Sequence, residues 1–318
     1  IRNKDIVGAK KAAGTHLEGG FEGINELVEK YNEYDNAFYL GNDDNPYFAL
    51  IKAKNKSITS CAIHEDTKII AGKAFMGCLE LKDVIVSESI IIGNGAFAGC
   101  PYLDYDMDFD SFIKAEKGEY VQVQGVVTSI SSKSEGANYN YLYLQDLDGE
   151  GGYYIYSIAD GIDPVEDLGI KLGMTVYVYG IKEIYNGVHE VKDATVIVTD
   201  TAEKEIEFID ITDRALSADG VEDMDLINYQ GCWVTIKGVK ITGQDFDYYM
   251  WSIGNVDSYT RLAQSSGLSD EVLKALADGH TAHTGYSADV KGIVKVYGGR
   301  FYLVPLGDDA FVYGELID

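Results

Sequence analysis

The sequence has little proline, little cysteine and half as many basic as acidic side chains. Only four of its 318 residues are proline and four are cysteine. The cysteines show no CxxC spacing and no partnered histidines, which argues against a zinc site (Cys61, Cys78, Cys100, Cys232). No run of about twenty apolar residues occurs, so the sequence predicts no membrane-spanning segment.

The charge balance is strongly acidic. The chain has 26 Lys and Arg against 52 Asp and Glu, a formal net charge of −26 at pH 7. Such a charge repels phosphate backbones and anionic membranes unless a local basic patch overrides it, and the sequence shows no such patch. This argues against nucleic acid as a partner, and we expect a protein or a neutral glycan instead.

Tyrosine and glycine are abundant. The chain has 24 tyrosines and 35 glycines, and 46% of its residues are hydrophobic. This composition is typical of a folded, mainly β protein in which glycine turns join short strands, with length enough for about two or three domains. The chain starts at Ile1, which we interpret as removal of a signal peptide, so we expect an extracellular or cell-surface location.

A repeated pattern occupies residues 57–100. Residues 57–78 and 81–100 both end in Ala-Phe-x-Gly-Cys. The pattern resembles the leucine-rich repeat of BspA-like surface proteins, and residues 34–54 resemble the hairpin that often interrupts such arrays. The resemblance implies a strand, a turn and a short arc in each unit, and a role in adhesion or host-surface interaction.

The pentapeptide has its own physical logic. Phe75 and Phe97 are predicted to stack on consecutive units, and Gly77 and Gly99 to permit the turns. The two cysteines of the pentapeptides are predicted to be small buried groups with free thiols. Before the repeats, apolar residues at helical spacing over 21–34 predict an amphipathic helix that caps one end of a core.

Residues 119–199 and 229–313 share a second pattern. Each has an alternating strand with a glycine near its middle, at Gly125 and Gly238, where we expect a bulge or a sharp bend, and then two hairpins. Residues 248–253 match the second strand of the first copy. Five strands in this order resemble an OB (oligonucleotide/oligosaccharide-binding) barrel of secreted bacterial proteins, which implies two tandem five-stranded barrels. A serine-capped helix over 269–279 is predicted between the third and fourth strands of the second copy.

The predicted fold is therefore mainly β, with a short leucine-rich-repeat segment and a capping helix before two OB-like barrels. The predicted order is a lead-in with the capping helix (1–33), BspA-like repeats (34–103), an acidic linker (104–116), a first barrel (117–201), a linker with a helical turn (202–227) and a second barrel (228–318).

Four tyrosines are the candidate ligand-binding residues. They are Tyr141, Tyr143, Tyr154 and Tyr156. If Leu142, Leu144 and Ile155 face the core, these tyrosines stand together on the outer face of the second and third strands, where OB barrels bind ligands. Aromatic rings there can stack on sugars or bases. The alternative is that this face packs against the neighbouring domain.

Other polar groups have a plainer interpretation. Alternating aspartates over 104–110 could bind calcium but are interpreted as a solvated linker, and His280 and His283 as part of a polar loop rather than a metal site. We find no catalytic motif, and we expect no cofactor and no metal. The expected function is non-enzymatic binding or adhesion outside a bacterial cell; the alternatives are an accessory module of an extracellular nuclease or glycan-processing system, or a structural spacer.

Overall fold

A computed structural model describes residues 31–87, 89–103, 107–131, 140–159, 162–262 and 267–317. The chain forms two units, Ile1–Val123 with Tyr177–Lys182 and Gln124–Val176 with Glu183–Asp318. In the part of the chain described, no helix combines the length and the apolar character needed to span a bilayer.

The lead-in and most of the predicted capping helix lie outside the described residues. At the end of that helix the prediction is wrong, because residues 32–34 form a strand that pairs with the next strand of the chain. Strand pairing here overrides the local helical spacing of the apolar side chains.

The first unit contains a five-stranded sheet and a separate parallel pair. The sheet has the order β1-β2-β3-β5-β7, and β4 pairs with β6. The antiparallel pairing of β2 with β3 confirms the predicted hairpin. The strands are β1 (Asn32–Tyr34), β2 (Ala37–Leu40), β3 (Ala49–Ala53), β4 (Ser60–Ala62), β5 (Ile69–Ile70), β6 (Asp83–Ile85) and β7 (Ile91–Ile92).

Equivalent residues of the two pentapeptides lie on top of each other. The rings of Phe75 and Phe97 stack with centroids 5.1 Å apart and an interplanar angle of 3°, as predicted. The Phe75 amide donates to the Ala96 carbonyl at 2.7 Å, so the backbones run in step. Gly77 and Gly99 have φ of +73° and +74°, the left-handed conformation that a side chain disfavours. All four cysteines are buried and free.

A short helix, α1 (Phe109–Lys114), lies inside the predicted acidic linker. There the prediction of a solvated linker is wrong, because Asp108 caps the helix by accepting a hydrogen bond from the Ser111 amide at 2.7 Å. Phe109 and Phe112 bury the apolar side of the helix. The first aspartates of the alternating run, over 104–106, lie outside the described residues.

Five strands form a closed barrel with the order β10-β12-β11-β8-β9, as predicted for residues 117–201. A bulge or a sharp bend was expected at Gly125, whereas the register of β8 against β9 shifts between Val127 and Ser129. A Cβ on Gly125 would lie 2.6 Å from the Gln145 carbonyl oxygen, so this glycine permits close approach of two strands. The strands are β8 (Tyr120–Ser131), β9 (Tyr141–Asp146), β10 (Gly152–Ile155), β11 (Thr175–Tyr185) and β12 (Val188–Asp200).

The second unit also contains a seven-stranded sheet with the order β13-β14-β15-β16-β18-β17-β19 and an additional β14–β17 pairing. Five of its strands, β14, β15, β16, β18 and β17, therefore pair in the same order as the barrel strands. Trp251 and Phe301 lie in its core. The strands are β13 (Ile209–Asp210), β14 (Trp233–Asp245), β15 (Tyr248–Ile253), β16 (Val256–Arg261), β17 (Tyr286–Tyr297), β18 (Arg300–Val304) and β19 (Phe311–Leu316).

Within the described residues, three helices accompany this sheet: α2 (Thr212–Ser217), α3 (Met224–Ile227) and α4 (Asp270–Ala282). The first two lie in the segment 202–227, whose Ile211 and Leu226 are buried in the core of the sheet. The helix α4 lies between β16 and β17, and Ser269 caps it as predicted. It continues past Gly279, where a Cβ would lie 3.2 Å from the Tyr313 hydroxyl.

Candidate ligand-binding surface

The four predicted tyrosines form one cluster on the outer face of β9 and β10. Leu142, Leu144 and Ile155 are fully buried, so the predicted alternation of faces is confirmed. The rings of Tyr143 and Tyr154 stack at 4.6 Å with an interplanar angle of 9°. Tyr141 packs edge-on against both rings, and Tyr156 lies edge-on to Tyr154 at 6.0 Å.

The cluster does not lie free on the surface. Tyr143 is only 7% exposed, and the Lys295 Nζ lies 3.5 Å from its ring centroid. Its hydroxyl accepts a hydrogen bond from the Gln230 amide nitrogen at 3.4 Å. Tyr143 therefore packs against the seven-stranded sheet, whereas the other three tyrosines remain partly exposed.

Three neighbouring residues fix this packing. The Thr128 hydroxyl, at the register shift of β8, donates to the Gly231 carbonyl at 2.6 Å, and the Trp233 indole N–H donates to the Thr128 carbonyl at 3.2 Å. Gly231 has φ +83°, and a Cβ on it would lie 2.5 Å from the Tyr143 Cβ. Glycine is required at this position by both the backbone conformation and the space.

The aromatic surface continues onto the seven-stranded sheet. Tyr259 on β16 stacks on Tyr302 of β18 at 5.1 Å, and Tyr248 on β15 lies edge-on to Tyr259 at 4.8 Å. Lys295, whose Nζ lies 3.5 Å from the Tyr143 ring centroid, is paired with Tyr302 in the β17–β18 register, so the two groups of rings are neighbours. We call the whole set the tyrosine band (Tyr156, Tyr154, Tyr143, Tyr141, Tyr302, Tyr259, Tyr248).

Sequence analysis missed the second half of the band. Its signal was present for one member, because the segment that contains Tyr248 was matched to the second strand of the first barrel. The same reasoning about the outer face would have selected Tyr248. No local pattern indicated that β16 and β18 would place Tyr259 and Tyr302 beside it.

Two titratable side chains flank the stacked rings. Lys295 is paired with Tyr302 in the β17–β18 register, and its burial lowers the pKa of its ammonium to about 7. Glu190 is paired with Tyr154 in the β10–β12 register, and burial together with the charge of Glu183 raises the pKa of its carboxyl to about 7. Such shifted groups are frequent at functional sites.

The far end of the band carries a neutralised cation. The Arg261 guanidinium lies over the Tyr248 ring, 5.8 Å from its centroid, and pairs with Asp247 at 3.0 Å. Lys295, in contrast, has no carboxylate within 4.0 Å of its Nζ among the residues described.

The two histidines of the predicted polar loop have other surroundings. His280 is fully buried on α4, and its Nε2 lies 3.1 Å from the Met250 carbonyl. Burial lowers the pKa of its imidazole to about 4. The His283 ring stacks on Tyr313 at 4.0 Å. Over the residues described, no group of three or more His, Cys, Asp or Glu side chains is placed to hold a metal ion.

No protein-family model and no curated protein matches this sequence. Similar solved structures include a murine DNA-binding protein bound to double-stranded DNA (10% identity, TM-score 0.26, covering 62% of this chain and 99% of that one). Another is the Ifi202 HINa domain in complex with 20-bp double-stranded DNA (9%, 0.26, 62% and 96%). A third is a replication protein A heterotrimer bound to single-stranded DNA (9%, 0.22, 62% and 67%).

These structures correct one prediction. The sequence argued against nucleic acid as a partner, and that argument is wrong as an exclusion, since the similar structures are described as bound to DNA. The argument used the net charge of the whole chain, whereas a ligand interacts with the charges of a local surface. Nucleic acid therefore belongs among the ligands to be tested.

Proposed function

We propose that this chain is a non-enzymatic binding protein that acts outside a bacterial cell and holds a glycan on the tyrosine band. In this proposal the chain consists of BspA-like repeats and two OB-like barrels. The observation that supports the function is the band itself: seven rings in mutual contact or close proximity on one face, six of them partly exposed.

The rings suit a sugar ligand for two reasons. A pyranose ring can stack its C–H face on an aromatic ring without needing positive charge, and Tyr also offers a hydroxyl for hydrogen bonds. The rings also hold each other in place, at centroid distances of 4.6 Å for Tyr143 and Tyr154 and 5.1 Å for Tyr259 and Tyr302. Binding to such a rigid surface loses little side-chain entropy.

A glycan array with the whole chain, followed by calorimetry of the strongest ligand, tests the proposal. Tyr154→Ala and Tyr259→Ala should each weaken binding about 5- to 150-fold, since one stacked ring contributes about 1–3 kcal/mol. Tyr297→Ala is the matched control, because Tyr297 is 80% exposed and lies outside the band. It should leave the affinity unchanged.

The same assay decides between ligand classes. An oligothymidylate should be titrated beside the glycans. If it binds more tightly than any glycan, and if Tyr154→Ala and Tyr259→Ala both abolish that binding, the band is a nucleic-acid surface. If Tyr297→Ala weakens glycan binding as much as the two band variants do, the glycan binds elsewhere and the tyrosines are structural.

A further inference from the structure

Lys295 differs from Lys291 and Lys237, two other lysines of the second unit. Lys291 is on the same strand, and its Nζ pairs with Asp309 at 2.6 Å; Lys237 pairs with Asp210 at 2.7 Å. Across the described part of the chain, no carboxylate lies within 4.0 Å of the Lys295 Nζ, which lies over the Tyr143 ring instead. A partly desolvated ammonium without a counter-ion is costly, so an arriving anion would be strongly favoured there.

We propose that Lys295 is an anion-recognition residue and that the ligand of the tyrosine band is a glycan with one carboxylate or sulfate group seated against its ammonium. The inference rests on the proposed glycan-binding function and narrows it. The proposed ligand is then a glycan whose sugars are neutral except for one acid group at one position. The stacking rings take the uncharged sugars, and Lys295 takes the acid group by a charge-assisted hydrogen bond.

The surroundings of Lys295 also give the ligand a direction. Glu190 lies beside Tyr154, and the neighbouring Glu183 pairs with Lys192 at 3.1 Å, so the excess negative charge of that side is the charge of Glu190 when it is ionised. A carboxylate or sulfate is therefore repelled from the Glu190 side and attracted to the Lys295 side. Glycans with an acid group on every sugar would meet this repulsion, so the surface favours a single acid group.

The two groups together give the binding a pH dependence. The titratable groups that face Lys295 are Tyr143 of β9 and Tyr302 of β18. Those around Glu190 are Tyr154 of β10 and Glu183 of β11, and Glu183 is paired with Lys192 of β12 at 3.1 Å. As pH rises through about 7, Lys295 loses its positive charge and Glu190 gains a negative one. Both changes weaken the binding of an acidic glycan, whereas a neutral glycan does not sense them through charge.

The test compares N-acetyllactosamine oligomers with the same oligomers carrying one 3′-sulfate, by calorimetry with the whole chain at about pH 6 and about pH 8. At the lower pH the sulfated form should bind about 10- to 150-fold more tightly, since a hydrogen bond to a charged group contributes about 1.5–3 kcal/mol. Lys295→Met should remove this preference, so that the sulfated and the neutral forms bind this variant with equal affinity. Lys291→Met is the control and should keep the preference, because Lys291 is held by Asp309.

Lys295→Arg provides a second variant in case the apolar one folds poorly. Arginine stays charged at both pH values, so this variant should keep the preference for the sulfated form and reduce its pH dependence to the contribution of Glu190. Equal affinities of the parent for the two forms, or a preference that survives Lys295→Met, would overturn the role of Lys295. Failure of the parent to bind either form, or binding that Tyr154→Ala does not weaken, would count against the proposed function instead. A lysine-dependent preference for an oligothymidylate over both glycans would overturn the ligand class.

Discussion

Replacing Gly231 by alanine should disrupt the packing between the barrel and the seven-stranded sheet. Gly231 has φ +83°, and a new Cβ would lie 2.5 Å from the Tyr143 Cβ and 2.6 Å from its Cδ1. Two costs therefore add: the left-handed backbone conformation, about 1–2 kcal/mol, and the overpacking against Tyr143, about 1–3 kcal/mol.

Gly187 separates these two costs. Its φ is +81°, and nothing lies within 4 Å of a Cβ built on it, so Gly187→Ala has the backbone cost alone. The free energy of unfolding of Gly231→Ala should therefore be about 1–3 kcal/mol lower than that of Gly187→Ala. For a unit of this size, each kcal/mol lowers Tm by about 2–4 °C.

Thermal unfolding followed by circular dichroism measures the difference, and near-ultraviolet spectra report the tyrosine environment. Equal Tm values for the two variants would refute the reasoning, because the backbone and side chain of Tyr143 would then shift away from the new methyl group at little cost. A larger loss in Gly187→Ala than in Gly231→Ala would contradict it more strongly.

Three further predictions concern the repeats, a buried lysine and the thiols. Phe75→Ala should lower the free energy of unfolding by about 3–5 kcal/mol because it leaves a cavity against Phe97. Ile85→Ala, at an 85% exposed position, should change it by less than about 0.5 kcal/mol. Chemical denaturation compares the two variants, and equal losses would contradict the stacking. Burial lowers the pKa of Lys182 to about 7 from 10.5, so the folded state binds fewer protons than the unfolded state between these values, and stability should rise with pH there by at most about 1.4 kcal/mol per pH unit. Lys182→Met should flatten this rise in urea titrations at about pH 7 to about pH 9, and an unchanged slope would show that the ammonium is well solvated. Thiol titration of the denatured chain without reductant should count all four cysteines, and a count of two would show a disulfide.

The sequence predicted the local parts of the site and not the way they are combined. The alternation of Leu142 and Leu144 with tyrosines follows a period of two residues, so it could be read directly and is confirmed. The burial of Tyr143 depends on Gln230 and Lys295, which are distant in sequence, and no local pattern encodes that contact. The same holds for Tyr259 and Tyr302.

Two residues singled out in the sequence, Gly125 and Asp108, have local roles that differ from the predicted ones. Gly125 was predicted to mark a bulge or a sharp bend, yet the register shift falls between Val127 and Ser129, where Thr128 donates to the Gly231 carbonyl. Asp108 was taken for part of a solvated run, whereas it caps a helix. In both cases the residue type allows several local structures, and a contact elsewhere in the chain or the burial of neighbouring phenylalanines selects one of them.

The position of Trp233 gives the protein an optical reporter. The chain has two tryptophans, and Trp251 is fully buried in the core of the seven-stranded sheet, whereas Trp233 donates its indole N–H across to Thr128 of the barrel. In a Trp251→Phe background, the emission of the remaining indole would report on the junction alone. Its wavelength and quenching would follow separation of the barrel from the sheet before either one unfolds, and would show whether a ligand on the neighbouring tyrosines tightens that junction.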